Sequence, residues 1–352
     1  MKILIVVDSY FQEYGGPYTA INQKIKFLNS IGVKNKLIYK YTNRSKYNLD
    51  LKYIINDCDI VHIYGIWRPF LIKVFYIAKK LKKKIIISPI GALEPWALEQ
   101  KKIKKKIAWW LYQKKILNSA DIVHVTSNIE AKNLKDKKIN SKIKIIGHGI
   151  NLINDFKLSY KNSLIKKIIF FSRIHKKKGI LELIEAWSNI DDKKNWILEI
   201  YGPVSDYPYF KKINKKIFEL KLGESILIKN PVFNNIEKEK IFKNADGFIL
   251  PSKSENFGIS IGEALAYGLP VLTTYNTPWK IINEYKAGLV FDFSISSITF
   301  NLEKFINLTD EQRYEMGLKS IKLIKDNFLE QKIFIQYQKM YKDLANESFI
   351  CN

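Results

Sequence analysis

The sequence predicts an α/β protein of two Rossmann-like, doubly wound parallel-sheet domains that face each other across a cleft. Three observations carry this expectation. Short apolar runs alternate with longer amphipathic stretches, the rhythm of βαβ units. The rhythm stops at a polar stretch and then restarts. A chain of 352 residues is also too long for one ordinary core and suits two domains. The expected divisions are 1–160, 161–330, and a last helix in 331–352 that packs back toward the first domain.

In the first half, KILIVV (2–7), NKLIYKY (35–41), DIVHIYG (59–65), KIIISPI (84–90), DIVHVTS (121–127) and IKIIG (143–147) read as strands. Helical patterns such as residues 16–32 and 70–82 lie between them. The polar stretch 149–167 is the expected linker. In the second half, KKIIFFSRI (166–174), WILEIYGP (196–203), SILIKNPV (225–232), ADGFILPS (245–252) and PVLTT (270–274) are strands with helices between. A short strand–helix unit follows in 276–292, then helices to the end. The last, around 328–346, carries Phe328, Ile333, Phe334, Tyr337 and Tyr341 at the spacing of a packed helix.

Composition narrows the class. Hydrophobic residues make up 47% and charged residues 26%, which suits a folded globular chain. Cys58 and Cys351 form no metal or redox spacing and fit a reducing cytoplasm. The opening apolar run is too short for a signal peptide, and none is long enough to span a membrane. A soluble or surface-attached cytoplasmic protein is therefore expected. The net charge is +25, yet only Arg44, Arg68, Arg173 and Arg313 are arginines. The lysine excess, with abundant isoleucine and asparagine, reads either as AT-rich coding bias or as attraction for anionic lipid, nucleotides or nucleic acid. Residues 98–117 mix lysines with Trp109, Trp110 and Tyr112 among aliphatics. That pattern suits a helix lying on anionic lipid; the plainer reading is a surface helix with its tryptophans turned inward.

The chemistry concentrates in SENFGISIGEALAYGLPVLTT, residues 254–274. Glu255 falls in the loop at a strand's carboxyl end, where open α/β sheets bind ligands. Phe257 and Gly258 start a helix that ends near Tyr267 and Gly268, with Pro270 blocking its continuation. Gly258 lets the backbone approach a ligand, and the first N–H groups of the helix suit a phosphate. Glu263 falls on the same side of the helix as Ile259. Two carboxylates repel a pyrophosphate but hold sugar hydroxyls. Cations come from FFSRIHKKKGILELIEAW, residues 170–187, where Arg173 ends a strand and Lys178 precedes Gly179. An arginine kept in so lysine-rich a chain suggests bidentate phosphate geometry.

The ordered set SRIHKKKG, YGP, NPVF and ADGFILPSKSENFGISIGEALAYGLPV resembles the retaining glycosyltransferases of family 4. The resemblance is strong over 165–295 and looser in the first half, through GGP and SPIGALEPWAL. TPW at 277–279 looks like the branch that builds bacterial surface polysaccharides and O-antigen. The resemblance implies the GT-B fold and a role for each matching residue. Arg173 and Lys178 bind the donor diphosphate. Glu255 holds the donor sugar, helped by Asn256, Phe257 and Gly258, with Ile259 beside them. Glu263 binds the ribose, Val232 lies against the base, and Gly15 and Gly16 form a tight loop near diphosphate and acceptor. It implies retention, with the leaving phosphate as base, and neither metal nor cofactor. It implies a UDP- or GDP-sugar donor carrying a hexose or N-acetylhexosamine. The acceptor is a saccharide, lipid-linked at the cytoplasmic face of the inner membrane, and no nucleic acid takes part. Ile90 departs from the family pattern, since many relatives carry histidine or arginine there. His62 and Trp96 are the candidate acceptor contacts, with Trp67 a further aromatic. A nucleotide-sugar epimerase of the same fold is the alternative, and a basic nucleic-acid binder a weaker one, lacking any recognised module.

Overall fold

The computed structural model describes residues 1–11, 15–40, 51–152, 158 and 163–346. The chain forms two compact units, Met1–His148 with Gln331–Asn352, and Gly149–Glu330. The first division thus falls at His148/Gly149, ahead of the 160 expected.

The first unit runs β1 (Lys2–Val7), α1 (Gly16–Ser30), β2 (Lys34–Tyr39), α2 (Leu51–Asn56), β3 (Ile60–Tyr64), α3 (Pro69–Lys80), β4 (Lys84–Ser88), α4 (Pro95–Glu99), α5 (Lys102–Ala108), α6 (Lys114–Asn118), β5 (Ile122–Val125), α7 (Asn128–Asp136) and β6 (Lys142–Ile145). Its six strands pair in parallel in the order β2-β1-β3-β4-β5-β6. The unbroken apolar run of β1 has its reason in burial on both faces. Ile3, Ile5 and Val7 join one core, Leu4 and Val6 the other.

The second unit runs β7 (Lys166–Phe171), α8 (Ile180–Ser188), β8 (Trp196–Tyr201), α9 (Tyr207–Glu219), β9 (Ile226–Lys229), α10 (Asn235–Asn244), β10 (Gly247–Leu250), α11 (Ile259–Ala266), β11 (Val271–Thr274), α12 (Ile281–Tyr285), β12 (Gly288–Phe291), α13 (Ile295–Ile306) and α14 (Asp310–Asn327). Its sheet is ordered β12-β11-β10-β7-β8-β9, again all parallel. The doubly wound α/β class expected from the sequence is what both sheets show.

The last helix, α15 (Glu330–Asn346), returns to the first unit. Ile333, Tyr337, Met340, Tyr341 and Leu344 complete the core that Ile3, Ile5 and Val7 face. Its tyrosines end a buried polar chain. His124 Nε2 donates to the Ile146 carbonyl at 3.0 Å, so its Nδ1 accepts from Ser88 Oγ at 2.7 Å. Ser88 Oγ in turn accepts from His62 Nε2 at 2.8 Å, and His62 Nδ1 accepts from Tyr341 OH at 2.7 Å. Burial and the nearby Lys24 hold both imidazoles well below the usual histidine pKa, which keeps this one direction of donation. Lys24 Nζ is itself buried, 3.3 Å from the centroid of the Tyr337 ring.

Candidate active site

In the second unit the chain winds from β7 toward β9 on one side and from β10 toward β12 on the other. The switch point therefore lies between β7 and β10, where such sheets open a crevice at their carboxyl ends. The loop after β7 brings Arg173 and Lys178, and the loop after β10 brings Ser252 and Glu255. Lys178 Nζ meets Glu255 Oε1 at 2.5 Å across 77 positions of sequence. Ser252 Oγ donates to the same oxygen at 2.6 Å, and Thr274 Oγ1 donates to the Ser252 carbonyl at 2.6 Å. Both members of the ion pair are buried. Burial alone would raise the Glu255 pKa, but Lys178 and Lys177 outweigh it and hold the carboxyl below its ordinary value. Burial lowers the Lys178 pKa, and Glu255 opposes that shift. The pair is an ammonium held against a carboxylate. Arg173 is half-buried beside Lys178, and no carboxylate among the described residues pairs with it.

Close packing fixes these loops. Lys178 ends a single 3-10 turn, and Gly179 follows at φ 72° as the N-cap of α8. A Cβ on Gly179 would stand 2.2 Å from the Pro251 carbonyl oxygen, so only glycine lets the two loops touch. Lys253 N donates to the Lys177 carbonyl at 2.9 Å and stitches them together. Gly258 caps α11 at φ 79°. Phe257 is buried edge-on against Trp279, whose indole N–H donates to the Phe257 carbonyl at 2.5 Å. The side chain of Phe257 thus belongs to the core. Ile259 opens α11 half-buried, and Val232, after β9, packs partly against the same core. Glu263 is half-buried and takes Lys238 Nζ at 2.6 Å. Sequence reasoning missed Ser252, Thr274, Lys238 and Trp279 as supports.

The first unit's expected site residues scatter. Gly15 turns the chain at φ 63°, and Gly16 begins α1. Trp96 is half-buried in α4. His62 is corrected: it is 0% exposed, and its two ring nitrogens are taken by Tyr341 and Ser88. It is a core histidine that holds α15 through Tyr341. Ile90 stands at φ 48° before Gly91, an unusual backbone for a β-branched residue. Buried Glu130 fastens that turn, accepting from Gly91 N at 2.7 Å and Thr126 N at 3.0 Å. Residues 98–117 do not form the single helix expected. Lys101 at φ 56° separates α4 from α5, and Trp109–Gln113 form a π turn before α6. Trp109 packs inward, while Ile103, Ile107, Trp110 and Leu111 are 75%, 55%, 76% and 73% exposed.

Among the described residues no group of three or more His, Cys, Asp or Glu side chains is arranged to hold a metal ion. None of their helices is long and apolar enough to cross a membrane.

Comparison with known proteins agrees with this architecture. Residues 154–323 match the family model "Glycosyl transferases group 1", and residues 14–153 match "Glycosyltransferase Family 4". An uncharacterised 41.2 kDa protein in the cps region of Klebsiella pneumoniae is 28% identical over 69% of this chain and 67% of its own. The capsular polysaccharide biosynthesis glycosyltransferase CapM of Staphylococcus aureus is 27% identical over 70% of this chain and 66% of its own. Among solved structures, sucrose-phosphate synthase from Thermosynechococcus elongatus superposes with a TM-score of 0.78 at 15% identity, covering 99% of this chain and 100% of that one. Anabaena HepE, solved with UDP and glucose, superposes at 0.74 and 15% identity, covering 97% and 100%. The fold is the α/β GT-B fold of glycosyltransferases. Within that class, the chain belongs to the group 1 glycosyltransferases of family 4.

Proposed function

We propose that the protein transfers a hexose or N-acetylhexosamine, with retention and without a metal, from a nucleoside diphosphate sugar to a saccharide acceptor in surface-polysaccharide synthesis. The observation that carries the reading is the second unit's switch point, where Arg173, Lys178 and Glu255 converge from two loops. As the glycosidic bond to the diphosphate breaks, negative charge grows on the leaving phosphate. Arg173 and Lys178 stabilise it electrostatically. Lys178 has three N–H donors, so it can keep Glu255 and still take a phosphate oxygen. Glu255 holds sugar hydroxyls, and Glu263 the ribose. The acceptor hydroxyl attacks the face the phosphate leaves, and its proton passes to that phosphate. UDP is the favoured base, since HepE was solved with UDP and UDP-glucose. The capsular and O-antigen names of CapM and of Escherichia coli WclY support a polysaccharide acceptor. The apolar and lysine-rich surface of α4–α6 supports contact with an anionic membrane and hence a lipid-linked acceptor on the cytoplasmic side.

The test is calorimetric. Uridine diphosphate raises the melting temperature of the wild type, because it binds the folded state. Glu263→Gln weakens the free nucleotide and the nucleotide sugar alike, by about 1.5–3 kcal/mol. Glu255→Gln lowers turnover more than nucleotide affinity. Wild-type nucleotide binding in Glu263→Gln, or undiminished transfer in Glu255→Gln, removes the corresponding role. Transfer also survives chelators, and a strict magnesium requirement would refute the metal-free mechanism.

A further inference from the structure

The first unit has a switch point of its own. Its chain winds from β1 to β2 on one side and from β3 toward β6 on the other, so the crevice lies between the carboxyl ends of β1 and β3. An ion pair sits there too. Asp8 directly follows β1, Arg68 begins the turn into α3, and Arg68 Nε lies 3.3 Å from Asp8 Oδ2. The position matches that of Lys178 and Glu255 in the second sheet, but the accessibility differs: the Arg68 and Asp8 side chains are 66% and 25% exposed. Asp8 takes the Nε edge. The terminal amino groups of the guanidinium have no partner among the described residues.

Residue choice points the same way. Of the four arginines, Arg44 lies outside the described residues. Arg313 is structural, buried against Asp310, the Leu308 carbonyl and the Trp196 ring. Arg173 is at the candidate donor site. Arg68 is left, exposed, in a chain that uses lysine almost everywhere else. Its loop is held rigidly. Trp67 stands at φ 72°, its backbone N–H donating to buried Gln113 Oε1 at 3.2 Å and its indole to the Ala92 carbonyl at 3.4 Å. Tyr10, two residues past Asp8, and Tyr18, in the first turn of α1, are half-buried with ring centroids 4.7 Å apart, and Tyr10 donates to Asn22. Tyrosine rings of this kind stack on sugar faces, and the planar fork of an arginine grips an oxyanion.

We propose that the acceptor saccharide carries an anionic group, a carboxylate or a phosphate, which Arg68 binds at the switch point between β1 and β3. The inference rests on the glycosyltransferase reading for the word acceptor; the oxyanion site stands on its own residues. The experiment titrates three probes into the whole protein: methyl glucoside, methyl glucuronide and glucose 6-phosphate. Wild type binds at least one anionic probe about tenfold more tightly than the neutral one, the scale of one hydrogen-bonded charge. Which anionic probe is preferred tells carboxylate from phosphate. Arg68→Gln abolishes the preference, leaves uridine diphosphate binding unchanged, and keeps the wild-type melting temperature. Arg173→Gln keeps the preference and weakens uridine diphosphate. Equal binding of all three probes, or a preference that survives Arg68→Gln or vanishes in Arg173→Gln, overturns the proposal. Loss of uridine diphosphate binding from the wild type would instead strike the donor reading alone.

Discussion

Arg173 and Lys178 differ in how cleanly they can be tested. Arg173 has no carboxylate partner among the described residues, so Arg173→Ala removes phosphate stabilisation and little else. Its transfer rate is expected to fall at least about a hundredfold, the scale of one lost oxyanion donor, at an unchanged melting temperature. Full activity would remove the assignment. Lys178→Ala strands a buried carboxylate, so it is expected to lose activity and also about 3–5 kcal/mol of stability, read by denaturant unfolding. The folded pKa of Glu255 is depressed, so its stabilising contribution is present above the ordinary carboxylate pKa and lost as pH falls through the folded value. Lys178 and Glu255 stand out in the sequence because each follows a strand with a glycine close behind, and Arg173 because arginine is rare in this chain. The 2.5 Å contact between Lys178 and Glu255 was not legible, because strand order creates it. Ser252 and Thr274 were invisible for another reason: serine and threonine after a strand are commonplace. His62 misled because a polar residue near a strand end reads the same whether it faces a ligand or a buried tyrosine.

At the level of elements, the turn between β4 and α4 depends on α7. Burial raises the Glu130 carboxyl from 4.5 to about 7, against the opposing pull of Gly91 and Thr126 N–H groups. A raised carboxylate contributes its stability in full below 4.5 and loses it as pH climbs to about 7. Wild type should therefore lose stability relative to Glu130→Gln across that interval, by about 3 kcal/mol in total. Parallel pH profiles of the two proteins would refute it. Residues 98–117 read as one helix because neither glycine nor proline marks the break at Lys101. Nor does sequence mark the π turn, which follows tertiary demand: Gln113 is buried where it takes the Trp67 N–H. The exposed apolar side chains there give a direct test. Wild type is expected to sediment with anionic vesicles at low salt and to release as salt screens the lysines. Trp110→Ser with Leu111→Ser should abolish sedimentation, and undiminished binding by that variant would exclude this surface as the membrane contact.

Across the whole chain, two sheets were legible because parallel strands buried on both faces write themselves as apolar runs. The spacing of Ile333, Tyr337 and Tyr341 announces the buried stripe of the last helix, expected to pack back toward the first domain, but not which core residues it meets. Five buried side chains of α15 complete the first unit's core. At about 1.5–3 kcal/mol each, they contribute on the order of 10 kcal/mol, comparable with the entire stability of a domain. A chain ending at Leu329 is thus expected to lose hydrogen-exchange protection in β1, β3 and α1 while β7, β8 and β10 keep theirs. Uniform protection in both units would show that α15 is dispensable.

The return of α15 also sets an order in time. A ribosome delivers residues from the first to the last at about 5–20 per second, and domains ordinarily fold as they emerge. Here the amino-terminal unit has six strands in hand long before Tyr337 and Tyr341 are made, and its relay of His62, Ser88 and His124 waits open at the Tyr341 end. The unit encoded second is the first that can finish. Every molecule therefore spends part of its synthesis with an apolar face of β1 uncovered, an interval set by the length of the second unit that separates α15 from the strands it covers.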